Sequence, residues 1–205
     1  MLTFYHAPQS RSFGILWLLE ELGVPYEMEL VDIRSEAGPP EDYRAIQPNK
    51  KVPAIVHDGT IVTERAAICL YLAETFPQAG LAPAPGDPAR AAYLTALVYT
   101  DAVLDPIIAM KAMGIAYPPR NVSFGSYDDA VANLERLLGA RDYAAGDRFS
   151  AADTQLGSGI HFGMNILGAL PRLPAFEAYL DRVLSRPALQ RTLEKDGVLK
   201  EGEVA

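Results

Sequence analysis

The segment "VPAIVHDGTIVTE", residues 52–64, leaves the chain few choices. The runs "PAIVH" and "TIV" flank Asp58-Gly59, a dipeptide suited to a type I′ turn, so an antiparallel hairpin is expected. Thr63 then reads as the cap of a helix through "ERAAICLYLAETFP", stopped by Pro77. Upstream, "LTFYH" reads as a first strand ended by Pro8. "SFGILWLLEELG" follows with helical spacing, placing Ile15, Leu18, Leu19 and Leu22 on one face. Ser10 or Ser12 suits its start and Gly23 its end. Residues 24–33 alternate as a second strand, and a short helix is expected near 41–46. Two strands joined through a helix should run parallel, with a right-handed crossover. The first part of the chain is thus a small mixed sheet with helices packed on it.

The proline- and glycine-rich run "PQAGLAPAPGDPA", residues 77–89, marks a boundary. Beyond it strand signals nearly vanish. "ARAAYLTALVYTDAVLDPIIAMKAMG" is a long helical pattern with a bend expected near Pro106. "SYDDAVANLERLLGA" is a second helix, anchored by Leu134, Leu137 and Leu138, and "SAADTQLGSGIHFGMNILG" a third. "LPAFEAYLDRVLSRPALQRTLEKDG" gives two short final helices before a polar tail, "VLKEGEVA", expected to be mobile. The fold class is α/β plus all-α, with an α/β domain over 1–78 and an all-helical domain over 88–205.

Lys and Arg number 18 against 26 Asp and Glu, a net charge of −8 that argues against non-specific nucleic-acid binding. One cysteine, Cys69, allows no internal disulfide and fits a reducing compartment. The N-terminal "MLTFYHAPQS" lacks the features of a signal peptide, and no stretch reads as long and apolar enough to span a bilayer. A cytoplasmic protein is expected. Neither a metal-ligand spacing nor a phosphate-binding loop is present in the sequence.

Four segments in this order, "SRSFGILWLLEELGVPYE", "NKKVPAIVHDG", "TERAAICLYLAETFP" and "FSAADTQLGS", resemble the cytosolic glutathione transferases. The resemblance covers nearly the whole chain. It implies a thioredoxin-like βαβαββα domain followed by a helical bundle, glutathione as co-substrate, no metal, and a homodimer. It further implies that Pro53 follows a cis bond, with Val52 offering its backbone N–H and C=O to the cysteinyl unit of glutathione. Glu64 would meet the γ-glutamyl amine, and the helix start its carboxylate. Arg65 stands where the family usually has serine. Lys51 or Lys50 would face the glycyl carboxylate, with Gln47 and Asn49 as weaker candidates. Asp153, at capping-box spacing from Ser150, reads as structural.

The family's chemistry requires the glutathione thiol as thiolate, against a free thiol pKa of ~8.5. Tyr5 matches the catalytic tyrosine of some branches, but an aromatic residue in a first strand also serves as core. Ala7 occupies the position of the serine-type branch and cannot donate. Cys69 reads as buried core. Ser10, at the turn into the first helix, ranks first as thiol activator, Tyr5 second and Arg11 third, with Ser12 a weaker alternative. His6 follows the strand with nothing near it in sequence to form a triad. The acceptor is expected between "YHAPQ" and the helical half, with Ile107, Met110, Met113, Tyr117 and Phe162 as candidate walls. Residues 115–127 form a lid or a connector. Two functions follow: a transferase joining glutathione to small hydrophobic electrophiles, or a non-catalytic glutathione-binding or protein-interaction module. Neither reading calls for a nucleic-acid or membrane partner.

Overall fold

The computed structural model describes residues 1–201, with side chains through residue 197. Contacts divide the chain into two units, one of Met1–Ala79 with the residues from Arg186 onward and one of Gly80–Ser185.

The first unit holds a four-stranded sheet in the order β2-β1-β3-β4. β1 (Leu2–His6) runs parallel to β2 (Glu27–Leu30) and antiparallel to β3 (Ala54–His57), which pairs antiparallel with β4 (Thr60–Thr63). Asp58 and Gly59 take φ of 48° and 82°, the pair of positive values that closes the hairpin as expected. β1 alternates: Leu2, Phe4 and His6 are buried, and Thr3 and Tyr5 face the other way, partly exposed. β2 is shorter than the alternating residues 24–33, because it forms an exposed edge. A 3-10 helix over Glu41–Ala45 stands where a short helix is expected.

α1 (Phe13–Leu22) ends at Gly23, whose left-handed φ of 65° lets its N–H reach Leu19. Its apolar residues do not keep to one face. Ile15, Leu16, Trp17, Leu18 and Leu19 are all fully buried. A helix buried all round needs neighbours on several sides. α2 (Arg65–Thr75) supplies one and α8 (Pro187–Glu201) another. Glu20 and Glu21 hold α8 in place. Arg191 Nε lies 3.1 Å from Glu20, Lys195 also pairs with Glu20, and Arg186 grips Glu21 through two bonds of 2.6 and 2.7 Å. The last helix is therefore long, not short, and packs with residues 1–79 rather than within an 88–205 domain. The cause is the apolar demand of α1, which local sequence does not reveal. The final part of the expected mobile tail, residues 202–205, lies outside the described residues.

The second unit is helical: α3 (Arg90–Tyr99), α4 (Asp105–Ala112), α5 (Tyr127–Ala140), α6 (Ala151–His161) and α7 (Pro174–Leu184). A π-helical turn over Thr100–Leu104 joins α3 to α4 just before Pro106, where the bend is expected. Proline has no N–H to donate, and the wider turn accommodates that gap in the ladder. The joined run Arg90–Ala112 is long and apolar enough, by length and composition, to cross a membrane, contrary to the sequence expectation. Its polar interruptions are too few to lower the average. In the fold Tyr93, Leu97, Leu104, Ile107 and Ile108 are buried, and α3 packs on α6. α6 opens with the expected capping box. Ser150 Oγ and N–H both reach Asp153 Oδ2, at 3.1 and 2.9 Å. Asp153 Oδ1 accepts from Ala144 N–H at 2.7 Å and the Tyr179 hydroxyl at 2.9 Å. Burial pushes the Asp153 carboxyl up to about 6, against the pull of these donors.

Candidate functional site

Strand register gathers the candidate residues. Tyr5 stands opposite Ala54 on β3, and Ala54 opposite Thr63 on β4. The end of β1, the start of β3 and the end of β4 therefore meet at one end of the sheet. From these ends the chain continues, in turn, into residues 7–12, back to Val52-Pro53 and on to Glu64-Arg65. The Val52-Pro53 bond is cis. Pro53 is buried and Val52 half-buried.

Glu64, not Thr63, occupies the N-cap position of α2, because Thr63 belongs to β4. Glu64 has φ 68° and ψ 126°, a conformation that a non-glycine residue holds only under constraint. Its carboxylate is exposed and accepts from Gln47 Nε2 at 3.4 Å. Arg65 is largely buried at the first turn of α2. Lys50 pairs with Glu41 at 3.2 Å, while Lys51 is exposed and its carbonyl accepts from the Tyr43 hydroxyl at 3.0 Å. Asn49 N–H donates to Gln47 Oε1 at 2.6 Å.

Tyr5 faces Tyr43, with ring centroids 5.5 Å apart, and both line a hollow of about 250 Å³ with Val31, Pro40 and Ile46. Burial, then the neighbouring Tyr5, pushes the Tyr43 phenol up to about 12. Alternation along β1 sends Tyr5 and His6 to opposite faces of the sheet.

On the His6 side the turn is tied from several directions. Ser10 Oγ lies 2.7 Å from Ser12 Oγ and accepts from Ser12 N–H at 3.1 Å. Ser12, fully buried, does not turn its hydroxyl to the helix. Its Oγ lies 2.8 Å from His6 Nδ1 and 3.2 Å from the Ala7 carbonyl, and accepts from Ala7 N–H at 3.2 Å. His6 Nε2 in turn faces Asp196 Oδ1 at 3.1 Å, and Gln9 N–H reaches both oxygens of Asp196 at 3.3 Å. Arg34 donates to the carbonyls of Pro8 and Gln9, at 2.7 and 2.9 Å. Gln9 itself takes a φ of 52°. Arg11 is exposed.

His6 thus has the serine and carboxylate partners that its sequence neighbours do not announce. The missing member, Asp196, comes from α8. The buried Ser12 has no path to a substrate, so the set is not a nucleophilic triad, and Ser12 is removed from the thiol-contacting candidates. Ser10, half-buried at the mouth of the turn, is the accessible hydroxyl. Sequence reasoning also missed Arg34 and Tyr43, whose contacts with the turn and with Lys51 carry no motif.

Of the proposed acceptor walls, Ile107 is buried, Met110, Tyr117 and Phe162 are half-buried, and Met113 is exposed. Tyr117 stacks edge-on to Phe124 at 5.2 Å inside the 115–127 segment, which includes a 3-10 turn over Pro119–Asn121. Cys69 is buried in α2. Among the described residues no group of His, Cys, Asp or Glu is placed to hold a metal ion.

Residues 10–75 match the family model described as the glutathione S-transferase N-terminal domain. The chain is 30% identical to glutathione S-transferase 3 of Schizosaccharomyces pombe over 175 residues, covering 76% of this chain and 72% of that protein. A sphingomonad glutathione S-transferase, solved in complex with glutathione, superposes with a TM-score of 0.73 at 29% identity, covering 96% of this chain and 99% of the other. A glutathione transferase from Methylococcus capsulatus gives 0.78 at 26% identity, covering 97% and 100%.

Proposed function

The chain belongs to the glutathione S-transferase family, and from that premise we propose that it joins the thiolate of glutathione to small hydrophobic electrophiles. The observation that carries the reading is the convergence of three chain segments at one end of the sheet: the Ser10 turn, cis Val52-Pro53 and the Glu64-Arg65 helix start. A peptide laid along that end meets the backbone N–H and C=O of Val52, which bind its cysteinyl unit as a short strand. Glu64 takes the γ-glutamyl amine. The strained backbone there supports a functional role. Arg65 and the first N–H groups of α2 take the γ-glutamyl carboxylate. Lys51 takes the glycyl carboxylate, since Lys50 already pairs with Glu41.

Ser10 donates to the thiolate. Tyr5 is second in rank, because it packs against Tyr43, and Arg11 third, adding positive charge near the turn. Thiol ionisation together with positioning next to the electrophile accounts for the rate enhancement. Glutathione bound in the sphingomonad relative supports the ligand assignment, and family membership supports a cytoplasmic homodimer as the working form. A second reading, a glutathione-binding or protein-interaction module without catalysis, is favoured by Arg65 and Ala7, which replace hydroxyl-bearing residues of the family pattern.

Ultraviolet difference titration of the protein with glutathione across pH tests the proposal. Thiolate absorbance appearing well below pH ~8.5 supports a transferase. Binding without that shift supports the second reading, and absence of binding overturns both.

A further inference from the structure

We propose that His6, held by Asp196, receives the proton of the glutathione thiol through the hydroxyls of Ser12 and Ser10. The proposal rests on the glutathione-binding role given above and adds the destination of the proton.

The argument is a count of hydrogens. Asp196, as a carboxylate, only accepts, and Gln9 N–H already points at both its oxygens. Facing it at 3.1 Å, His6 Nε2 must carry a proton. In the neutral ring Nδ1 is then a bare lone pair, and of the two acceptors within reach of Ser12 Oγ, that lone pair at 2.8 Å and the Ala7 carbonyl at 3.2 Å, the closer takes its only hydrogen. The 2.7 Å contact between the two serines is then satisfied only if Ser10 donates to Ser12. In this state Ser10 turns its proton inward and offers a lone pair outward. It accepts from a thiol and cannot donate to a thiolate.

Transfer reverses every bond in the chain. The S–H bond breaks and an O–H bond forms on Ser10. Ser10 passes its original proton to Ser12, and Ser12 passes its own to His6 Nδ1. The products are a thiolate and an imidazolium, with no proton lost to solvent. Ser12 now donates to Ser10, and the new Ser10 hydroxyl points outward at the sulfur. Asp196 stabilises the imidazolium that results. Of the other charged groups on α8 and at the turn, Arg191 and Lys195 are engaged with Glu20, Arg34 with the carbonyls of Pro8 and Gln9, and Arg11, between the two serines in sequence, is exposed. His6 and Asp196 act through Ser10 and are positioning residues. Ser10 is the group that touches the thiol.

Calorimetry of glutathione binding in buffers of different ionisation enthalpy, read beside thiolate absorbance, tests the inference without any variant. Thiolate formed with no net proton released to buffer is the expected result, accompanied by ¹⁵N shifts of the His6 ring that report protons on both nitrogens. A proton released for every thiolate overturns it, and so does binding of glutathione as the neutral thiol. Ser12→Ala cuts the relay while leaving His6 and Asp196 paired. It should bind S-methylglutathione as the wild type does and lose about a hundredfold in thiolate-dependent rate. A wild-type rate in Ser12→Ala overturns the relay alone. Failure of the wild type to bind either ligand overturns the glutathione assignment and the relay with it.

Discussion

His6 Nε2 and Asp196 Oδ1 lie 3.1 Å apart across 190 residues of sequence. Through that contact a helix at the far end of the chain governs the first turn of the fold. Asp196→Ala should leave the imidazole and Gln9 N–H without their acceptor, at a cost of about 2 kcal/mol in chemical denaturation. Asp196→Asn, which keeps an acceptor oxygen, should cost less in stability yet still slow the reaction, because it removes the charge. Equal activity in both variants and the wild type would remove Asp196 from the proposed chemistry.

Ser10→Ala should lower kcat/KM with an aryl halide by about a hundredfold or more, since it deletes the donor at the developing thiolate. Tyr5→Phe should stay near wild type, because Tyr5 stacks on Tyr43 and points away from the His6 face. The reverse ranking in steady-state kinetics would transfer the role to Tyr5.

Arg65→Ala should raise KM for glutathione with little change in kcat, the mark of an interaction equal in ground and transition states. Lys51→Ala should behave alike, and Lys50→Ala should have a smaller effect because Lys50 pairs with Glu41. A fall in kcat alone in Arg65→Ala would contradict the binding role.

Glu20 shows what acid does to the α8 attachment. Burial raises its carboxyl, but Lys195, Tyr26 and Arg191 outweigh that and hold it below the usual carboxylate range. Its protonation is therefore harder in the folded than in the unfolded chain. The stability it adds is present above the ordinary carboxylate pKa and lost as pH falls through the folded value. Glu20→Gln should destabilise the protein by about 2 kcal/mol near neutrality, and the gap to wild type should narrow in acid urea titrations.

Asp153 has the opposite sign. Burial raises its carboxyl to about 6, so the folded state binds this proton more readily than the unfolded state. Its contribution is fully present below the unfolded value of ~3.9 and is lost as pH rises through about 6. Urea unfolding of wild type and Asp153→Asn, compared across that window, should favour wild type progressively toward the acid end.

What the sequence made legible is what neighbours in the chain decide. Asp58-Gly59 specifies its turn through its own backbone preferences, Gly23 ends α1 by the same means, and Ser150 and Asp153 find each other three residues apart. Pro106 announces a disturbed helix because a missing N–H is a local fact. The second π-helical turn, Phe162–Ile166, has no such marker. There Gly163 packs so closely that an added Cβ would come within 2.8 Å of Ile108 and 2.9 Å of Leu170, a constraint set by distant side chains. The site divides in the same way. Residues 52–53 and 64–65 lie in readable motifs, whereas Asp196 and Arg34 reach the Ser10 turn only through the tertiary fold. Ser12 has the residue type of a cap, but tertiary contact with His6 claims its hydroxyl.

The return of α8 to α1 also orders events during synthesis. Residues 1–79 leave the ribosome with the sheet and α1 complete, while the helix that covers α1 is still unmade. The whole of 80–185 is translated before Arg186 and Arg191 can meet Glu21 and Glu20. A chain released before residue 196 carries Ser10, Ser12 and His6 but no carboxylate to hold them. The Ser10 turn is thus held by Asp196 only after all of 80–185 has been made.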